Sequence, residues 1–433
     1  MTKKNKLALI YSQTPSEWVS CQSITFNLKK TYEVAFPNWE ICSFDFSPNK
    51  PQLHIWECAQ KIFNFAPDFI SIIDHKPHPR KLIQTLSDLY SNSTIPPLFV
   101  HLFGDFSLYA KEWIICQNFL KNTQTHFITA SEKQRQFVSQ FLLKGDDNIS
   151  VFPFPVDEKY FYYDKNQRNE GRKILQLEEN ETAIIYTGRL SLQKNTLLLL
   201  QEIYSLKEKI KNSYQIYLIG PMDDLALPYF GIEFLDGHYY HLLNSFLDTT
   251  ELDFRSRVHF LGPQSPDFLL KLLNAGDIFI SLSQHNDEDY GMSPAEAICT
   301  GLPAILSHWG GYTSFALDKN VQTIPFVWEK NLELNQEGFK LDHEQFESML
   351  LNFLENPSQP SNRLQHSLFY SKSFSISGQN EKLKKIIGKT IKPFSGFGPK
   401  MEIFSAIMSR EAPFYFGEQS YDYYKDVYRP YFS

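Results

Sequence analysis

The sequence has few cysteines and no long hydrophobic run. Its 433 residues include five cysteines, which are widely spaced and never arranged as CxxC. We therefore expect neither a disulfide framework nor a cysteine zinc site. We expect the protein to reside in a reducing compartment. No apolar run approaches the roughly 18 residues of a membrane span, and LALIY near the N-terminus is too short for a signal-peptide core. We expect a cytoplasmic protein and leave peripheral contact with the inner membrane face open.

An excess of positive charge is also absent. The chain carries 42 Lys and Arg against 49 Asp and Glu, a net charge of -7, which argues against a nucleic-acid partner. No Walker A loop, GxSxG or HExxH motif occurs. Hydrophobic residues make up 42% of the chain and aromatics 15%, enough for large cores. Because α/β domains are large, this length predicts two folded domains.

Short apolar runs alternate with longer helical stretches. Each run is rich in Ile, Phe, Val or Leu and too short for a typical helix, so we interpret the runs as buried parallel strands. They form two series: Lys6–Tyr11, Asp68–Ile73, Pro97–Phe103, His126–Ala130 and Ile149–Phe154, then Thr182–Thr187, Tyr214–Gly220, Arg257–Gly262, Asp277–Ser283 and Pro303–Ser307. Helices are predicted over Ser16–Lys30, Pro79–Tyr90, Ser131–Leu143 and near Tyr239–Phe246. The alternation predicts two Rossmann-like halves, joined by the polar stretch 157–181.

The segment SLSQHNDEDYGMSPAEAICTGLP carries the strongest chemical signal. A strand ends near Ser283, a polar loop follows, and a helix is predicted with Ser293 as its N-cap and Glu296 three residues later. Ligands of α/β sheets bind where strands end and helices begin, because free N–H groups there bind anions. The loop is therefore a predicted phosphate site, flanked by Glu288 and Glu296.

The segment YTGRLSLQKN predicts a second anion site. A strand ends at Gly188, and Arg189 and Lys194 follow before the next helix. A guanidinium offers a fork of donors and an ammonium offers a point charge, a combination that suits a diphosphate.

Together these segments resemble the retaining glycosyltransferases of family four, which have the GT-B fold. The resemblance rests on GRLSxxKN followed about a hundred residues later by Glu288-x7-Glu296, and it covers roughly residues 125–320. It implies an α/β protein with two Rossmann-like domains facing each other across a cleft. Residues 1–160 would bind the acceptor, completed by a segment at about 395–433, and residues 170–390 would bind the nucleotide sugar.

The resemblance also implies roles for single residues. Arg189 and Lys194 match the pair that grips the donor diphosphate, Glu288 matches the glutamate at the transferred sugar, and Glu296 matches the ribose ligand. His101 sits where the family often has a histidine facing the reacting sugar. Further donor contacts are implied for Gly188, for the nucleobase loop Gly262, Pro263 and Gln264, and for the sugar–phosphate loop Tyr290, Gly291, Met292 and Ser293.

Several of these residues have structural alternatives. Glu296 could serve only the capping box, Glu288 could be one more solvated acid of the run Asp287–Asp289, and His101 could be a core histidine. His75 and His78 are read as part of a proline-rich loop rather than a metal pair. Nine aromatics in the last 21 residues predict docking onto a core, with an acceptor, partner or membrane contact as the alternative.

The predicted reaction is sugar transfer, with retention, from a nucleotide-diphosphate sugar to a hydroxyl of a glycan, lipid-linked or protein acceptor in glycan or glycolipid assembly. No cofactor and no metal are expected, because side-chain cations would stabilise the leaving diphosphate. Two alternatives stay open. The first-strand loop Ser12–Glu17 lacks the family's glycines, which would fit a catalytically silent GT-B subunit that supports a partner enzyme. Other nucleotide-sugar chemistry, such as epimerisation, is the second.

Overall fold

The computed structural model describes residues 4–14, 19–74, 79–91, 94–121, 123–224, 237–331, 336–356, 360–408 and 418–433. The chain divides into two compact units. The first unit comprises Met1–Pro155 and Ile376–Pro430, and the second comprises Val156–Ser375 and Tyr431–Ser433. His75, His78 and part of the loop Ser12–Glu17 lie outside the described residues.

The first unit is built on a six-stranded parallel sheet in the order β2-β1-β3-β4-β5-β6. Its strands are β1 (Lys6–Tyr11), β2 (Glu40–Asp45), β3 (Phe69–Ile72), β4 (Leu98–His101), β5 (Thr125–Thr129) and β6 (Ile149–Val151). The register pairs Leu7 with Ile41 on one side and with Phe69 on the other. All five strands predicted for this half are confirmed, and β2 was missed.

The helices of this unit come from both ends of the chain. They are α1 (Val19–Ala35), α2 (Gln52–Phe65), α3 (Arg80–Leu89), α4 (Ala110–Lys121), α5 (Glu132–Ser139), α14 (Asn380–Ile387), α15 (Pro399–Met408) and α16 (Glu418–Phe432), whose last two residues belong to the second unit. The capping box predicted for α5 is present: the Ser131 hydroxyl accepts from the Gln134 N–H at 3.1 Å, and the Gln134 amide oxygen accepts from the Ala130 N–H at 2.7 Å.

Aromatic rings fill the core of the first unit beside β5. Trp113 stacks on Phe106 with ring centroids 5.2 Å apart, and Phe127 meets Phe394 edge-on at 5.8 Å. The core therefore includes side chains from beyond residue 376, and this region needs the returning C-terminal segment.

The second unit repeats the architecture, with strand order β12-β11-β10-β7-β8-β9. Its strands are β7 (Thr182–Thr187), β8 (Tyr214–Ile219), β9 (Val258–Phe260), β10 (Ile278–Ser281), β11 (Ala304–Ser307) and β12 (Val321–Ile324), with a separate antiparallel hairpin of β13 (Phe326–Asn331) and β14 (Gln336–Leu341). The five strands predicted for this half are confirmed. Both sheets are parallel, so the predicted α/β class with two Rossmann-like domains is confirmed.

The helices of the second unit cover the sheet and bury its apolar strands. They are α6 (Lys165–Ile174), α7 (Thr196–Ser205), α8 (His238–Asp248), α9 (Leu252–Ser256), α10 (Pro266–Ala275), α11 (Met292–Cys299), α12 (His343–Glu355) and α13 (Pro360–Phe374). One core cluster joins β7, β8 and β10 to α7, α8 and α12, with Ile184, Leu199 and Leu243 wholly buried in it.

The polar stretch 157–181 is not merely a connection, as the sequence suggested. It contains α6, whose first turn is capped by the Asp164 carboxylate at 2.8 Å from the Gln167 N–H. Arg168 donates to Asp277 at 2.6 Å and to the carbonyl of Gly276 at 2.9 Å. The charged residues of α6 therefore satisfy the C-terminal end of α10, which is why a surface-like composition forms a packed helix.

The aromatic C-terminal tail is buried where the structure describes its side chains. Val427 and Tyr428 are fully buried in the first unit, and Tyr431 is fully buried in the second. The predicted core docking is confirmed for these residues. The cysteine side chains are thiols, and among the described residues no disulfide joins them. Among the described helices, none combines the length and apolar character that crossing a membrane would require.

Candidate nucleotide-sugar site

The candidate site of the second unit lies where β7, β8, β9 and β10 end. These four strands are neighbours in the sheet, so the loops that follow them share its carboxyl edge. The Gly188 N–H donates to the carbonyl of Ile219 at 2.9 Å, and the Gly220 N–H donates to the carbonyl of Gly262 at 3.0 Å. The loops after β7, β8 and β9 are thereby tied together beyond the strand ends.

Glycine is needed where these loops approach each other most closely. Gly188 and Gly220 have φ of +135° and +145°, and a Cβ on Gly220 would lie 1.9 Å from the Gly188 carbonyl oxygen. A Cβ on Gly188 would lie 3.6 Å from the Ser293 hydroxyl. Gly188 therefore lies beside the first turn of α11, so two of the predicted segments meet here.

Arg189 follows Gly188 and is held on two sides. Its Nη1 donates to Asp223 at 2.6 Å, and its Nη2 donates to the amide oxygen of Gln193. Its backbone carbonyl accepts from the Tyr186 hydroxyl at 2.7 Å. Asp223 and Gln193 were not identified from the sequence, although Gln193 lies inside the recognised motif.

Lys194 ends a short 3₁₀ turn whose N-cap is Ser191. The Ser191 hydroxyl accepts from the Lys194 N–H at 3.3 Å, and Asn195, with φ of +54°, starts the turn into α7. The Lys194 ammonium forms an ion pair with the carboxylate of Glu288. The structure thus brings together two predicted site residues from different motifs.

The loop from β10 to α11 is polar but buried. Glu288 is 4% exposed and Tyr290 1% exposed, so the alternative of Glu288 as a solvated acid is wrong. The backbone explains the burial, since the Gly311 N–H donates to the Glu288 carbonyl at 2.9 Å. The Tyr290 ring packs edge-on against Phe315 at 5.0 Å, which leaves its backbone as the part able to meet a ligand.

The helix after this loop begins two residues earlier than predicted. Gly291 is its N-cap, with φ of +105°, and Ser293 lies inside the first turn. A Cβ at Gly291 would lie 2.4 Å from the Tyr312 ring, so the close approach of that ring requires glycine. The N-cap prediction for Ser293 was wrong, because a glycine with positive φ starts the helix without a side-chain cap.

Glu296 therefore has no capping-box partner. Its carboxylate accepts no hydrogen bond from the described residues, and its side chain is half-buried. Burial raises the pKa of Glu296 to about 8. An acid held this way, in a helix that starts at the site, has unused hydrogen-bonding capacity.

His285 also lies in this loop, and the sequence did not single it out as a candidate. It is 6% exposed, and its Nδ1 lies 2.8 Å from the amide nitrogen of Gln193. Burial, together with the charges of Lys194 and Arg189, lowers the pKa of His285 to about 3. Its carbonyl accepts from the indole N–H of Trp309 at 2.7 Å. No sequence signal marked it, because a single histidine in a polar loop carries none.

The loop predicted to contact the nucleobase is the most exposed part of the candidate site. Gly262 has φ of +66°, and the Gln264 amide donates to the carbonyl of Leu261 at 2.5 Å. Pro263 is exposed between them. These three residues follow β9, and Gly220 bonds them to the rest of the carboxyl edge.

His101 lies in the first unit at the end of β4. It is 1% exposed, its Nε2 lies 3.0 Å from the Tyr32 hydroxyl, and the Phe152 ring meets it edge-on at 6.0 Å. Burial lowers the pKa of His101 to about 3. This is the arrangement of the core-histidine alternative, and a catalytic role for His101 stays a prediction.

The two parallel six-stranded sheets with their helices define the GT-B fold. Residues 167–325 match the family model of glycosyl transferases group 1. The chain is 28% identical over 156 residues to the lipopolysaccharide 1,2-N-acetylglucosaminetransferase of Salmonella typhimurium, 36% of this chain and 38% of that relative. It is 22% identical over 226 residues to the D-inositol 3-phosphate glycosyltransferase of Corynebacterium diphtheriae, 51% of this chain and 49% of that relative.

These matches span less than half the length of either curated relative. Among solved structures, Anabaena HepE in complex with UDP superposes with a TM-score of 0.61 at 16% identity, covering 88% of this chain and 99% of that one. That similarity shows the fold. Together, the family match and the fold support a GT-B glycosyltransferase, and the matched region contains Arg189, Lys194, Glu288 and Glu296.

Proposed function

We propose that this protein is a retaining glycosyltransferase of the family-four type, which transfers a sugar from a nucleotide-diphosphate sugar to an acceptor hydroxyl. The observation that carries the proposal is the convergence of Arg189, Lys194 and Glu288 with the start of α11 at one sheet edge. Two cations and a helix N-terminus in one place form a binding site for a diphosphate.

In this proposal both cations change partners when the donor binds. Arg189 is paired with Asp223 and Lys194 with Glu288 in the free protein, so the diphosphate competes with two carboxylates. Breakage of the sugar–phosphate bond increases the negative charge on the diphosphate. Arg189 and Lys194 therefore bind the transition state more strongly than the ground state, which is the condition for acceleration.

The remaining residues orient the donor. Backbone N–H groups of Tyr290, Gly291, Met292 and Ser293 would meet the phosphate and sugar, while Gly262, Pro263 and Gln264 would flank the base beside Gly188. The Glu296 carboxylate would accept hydrogen bonds from the two ribose hydroxyls. Glu288, freed from Lys194, would hold a hydroxyl of the transferred sugar. No resident cofactor or metal is needed for this charge balance.

The chemistry proposed is a front-face displacement. The acceptor oxygen bonds to the anomeric carbon on the face that the diphosphate leaves, the anomeric carbon–oxygen bond breaks, and the acceptor proton passes to the departing phosphate oxygen. Retention then requires no carboxylate nucleophile, unlike the double displacement of retaining glycoside hydrolases. Glu288 would position the sugar and would not attack it.

The acceptor and the setting belong to the same proposal. The two curated relatives act, by their names, in lipopolysaccharide and inositol phosphate glycosylation. We propose a glycan, lipid-linked or protein acceptor bound by the first unit, transfer of a hexose-type sugar, and a cytoplasmic location with peripheral contact at the inner membrane face.

A ligand screen by thermal shift tests the proposal. UDP and UDP-glucose are the first probes, because HepE has been solved with both, followed by the other nucleoside diphosphates and their sugars. A ligand at a hundredfold excess over its dissociation constant stabilises the folded state by about 2.7 kcal/mol. At least one diphosphate should raise the melting temperature, and no shift across the panel would refute the proposal.

Slow release of nucleoside diphosphate from the bound nucleotide sugar distinguishes the active enzyme from the silent subunit. An active transferase is expected to transfer sugar to water slowly when no acceptor is present. A protein that is stabilised by a nucleotide sugar but never releases the diphosphate would be the silent GT-B subunit. A changed sugar configuration without an acceptor would indicate epimerisation.

A further inference from the structure

The orientation of the Arg189 guanidinium depends on how Gln193 is turned. Nη1 of Arg189 is fixed by Asp223 at 2.6 Å, and Nη2 donates to the amide oxygen of Gln193. Only the oxygen of an amide can accept this bond. If the Gln193 amide flipped, its NH₂ group would face the guanidinium, and two donors would oppose each other.

His285 determines which way the Gln193 amide faces. Its Nδ1 lies 2.8 Å from the Gln193 amide nitrogen and 3.0 Å from the backbone N–H of Asp287. Both neighbours are donors, so Nδ1 is an acceptor and the imidazole proton resides on Nε2. The hydrogen-bond network thus assigns one tautomer of His285 and one orientation of Gln193.

The imidazole is also held in place by its own loop. The His285 carbonyl accepts from the Trp309 indole N–H at 2.7 Å and from the Glu288 N–H at 3.0 Å. His285 is 6% exposed and Gln193 is 3% exposed, so water does not compete for these bonds. Because Glu288 follows in the same loop, the two anchors of His285 also fix the segment that carries the partner of Lys194.

We propose that His285 is a positioning residue for the donor diphosphate, acting through Gln193 to aim the guanidinium of Arg189. This inference rests on the proposed function, because it assumes that Arg189 binds a diphosphate. The proposed role belongs to a buried histidine of the β10–α11 loop that is part of neither GRLSxxKN nor Glu288-x7-Glu296. His285 itself touches no phosphate in this arrangement.

Three variants test the proposal, with UDP and inorganic pyrophosphate as probes. His285→Leu removes the acceptor, and Gln193→Leu removes the relay. His285→Asn offers an amide oxygen close to where Nδ1 lies. We expect His285→Leu and Gln193→Leu each to weaken binding of both probes and lower kcat roughly tenfold or more, because misaimed groups lose their transition-state contacts. His285→Asn should restore most of that loss.

The double variant separates positioning from general packing. If His285 acts through Gln193, adding His285→Leu to Gln193→Leu should cost nothing further, because the residues form one chain of bonds. His259→Leu is the matched control, since its Nε2 also contacts a glutamine, lying 2.8 Å from the amide oxygen of Gln215, and the two residues lie within β9 and β8 of the same sheet. That variant should bind the probes as the wild type does.

The outcomes are separable from those of the proposed function. If the wild type binds no diphosphate, the proposed function fails. If it binds UDP but His285→Leu binds and turns over equally well, the positioning role fails. The positioning role also fails if His285→Asn is as impaired as His285→Leu. It fails as well if the double variant loses affinity by the product of the two single losses. If His285→Leu does not fold, Gln193→Leu and His285→Asn still test the positioning role. Gln193→Leu should then lose affinity for the probes, and His285→Asn should not.

Discussion

The ammonium of Lys194 and the carboxylate of Glu288 form an ion pair although they are 94 positions apart in the sequence. The pair joins the loop after β7 to the loop after β10, which are adjacent strands of the second sheet. The Glu288 side chain is 5% exposed and that of Lys194 20% exposed, so the pair is largely removed from water. Each charge therefore stabilises the other in the protein without ligand, where water cannot fully solvate them.

Replacing Lys194 with alanine should destabilise the second unit. The change leaves a buried carboxylate without its partner, which typically costs about 3–5 kcal/mol. Denaturant unfolding measures this cost. Adding Glu288→Gln should recover most of the stability, because the buried charge is then gone, but should not recover turnover.

The matched control for Lys194 is Lys209→Ala, which breaks an exposed pair with Glu347 at 2.7 Å. It should leave unfolding nearly unchanged, because exposed ion pairs contribute little. If Lys194→Ala unfolds like this control, the Lys194–Glu288 pair is not a buried pair in solution.

Glu296 should make the stability of the free protein depend on pH. Burial raises the pKa of Glu296 to about 8, above the ordinary value near 4.5, so the folded state favours the protonated acid. The contribution of protonated Glu296 to the stability of the folded state is fully present below about pH 4.5 and is lost as the pH rises to about 8. The side chain of Glu296→Gln stays neutral at every pH. The melting temperature of this variant should therefore rise relative to that of the wild type as the pH increases from about 4.5 to about 8.

The same variant tests the ribose role. Above pH 8 the wild-type carboxylate is ionised, and charged hydrogen bonds are the stronger kind, so Glu296→Gln should bind UDP at least about tenfold more weakly. Glu344→Gln, at an exposed position of α12, is the control and should change neither property. Unchanged UDP affinity in Glu296→Gln would remove the ribose assignment.

Chelation of divalent metals should not abolish activity. In the proposed mechanism, Arg189, Lys194 and the N–H groups of α11 supply the positive charge that the leaving diphosphate needs. Turnover measured in excess EDTA is therefore expected to match turnover without it. Complete loss that is restored by Mg²⁺ or Mn²⁺ would contradict this charge balance.

Much of the fold could be predicted because parallel strands are buried on both faces. Such strands are continuous apolar runs, and each of the ten predicted runs overlaps a strand. Strand β2, with the sequence EICSFD, was missed because it lies at the edge of its sheet and includes charged residues at both ends. The hairpin β13–β14 was missed because its polar composition resembles a loop.

The residues of the site were easier to predict than their contacts. Motif spacing predicted Arg189, Lys194 and Glu288 as site residues, and that role stays a prediction. Their contacts could not be predicted, because they depend on which strands are adjacent and on how the loops fold back. The start of α11 was misplaced because a serine followed by proline resembles an N-cap. The close approach of Tyr312 to Gly291, which decides the matter, comes from a residue 21 positions later and is invisible to local patterns.

The most direct test of the central claim is nucleoside diphosphate release from the nucleotide sugar that the screen identifies. We expect the wild type to release it and Arg189→Ala to do so roughly a hundredfold more slowly, as loss of one transition-state donor typically causes. Arg255→Ala, which breaks a surface pair with Asp248 at 3.1 Å, should match the wild type. Release by Arg189→Ala at the wild-type rate would contradict the assignment of this sheet edge as the diphosphate site.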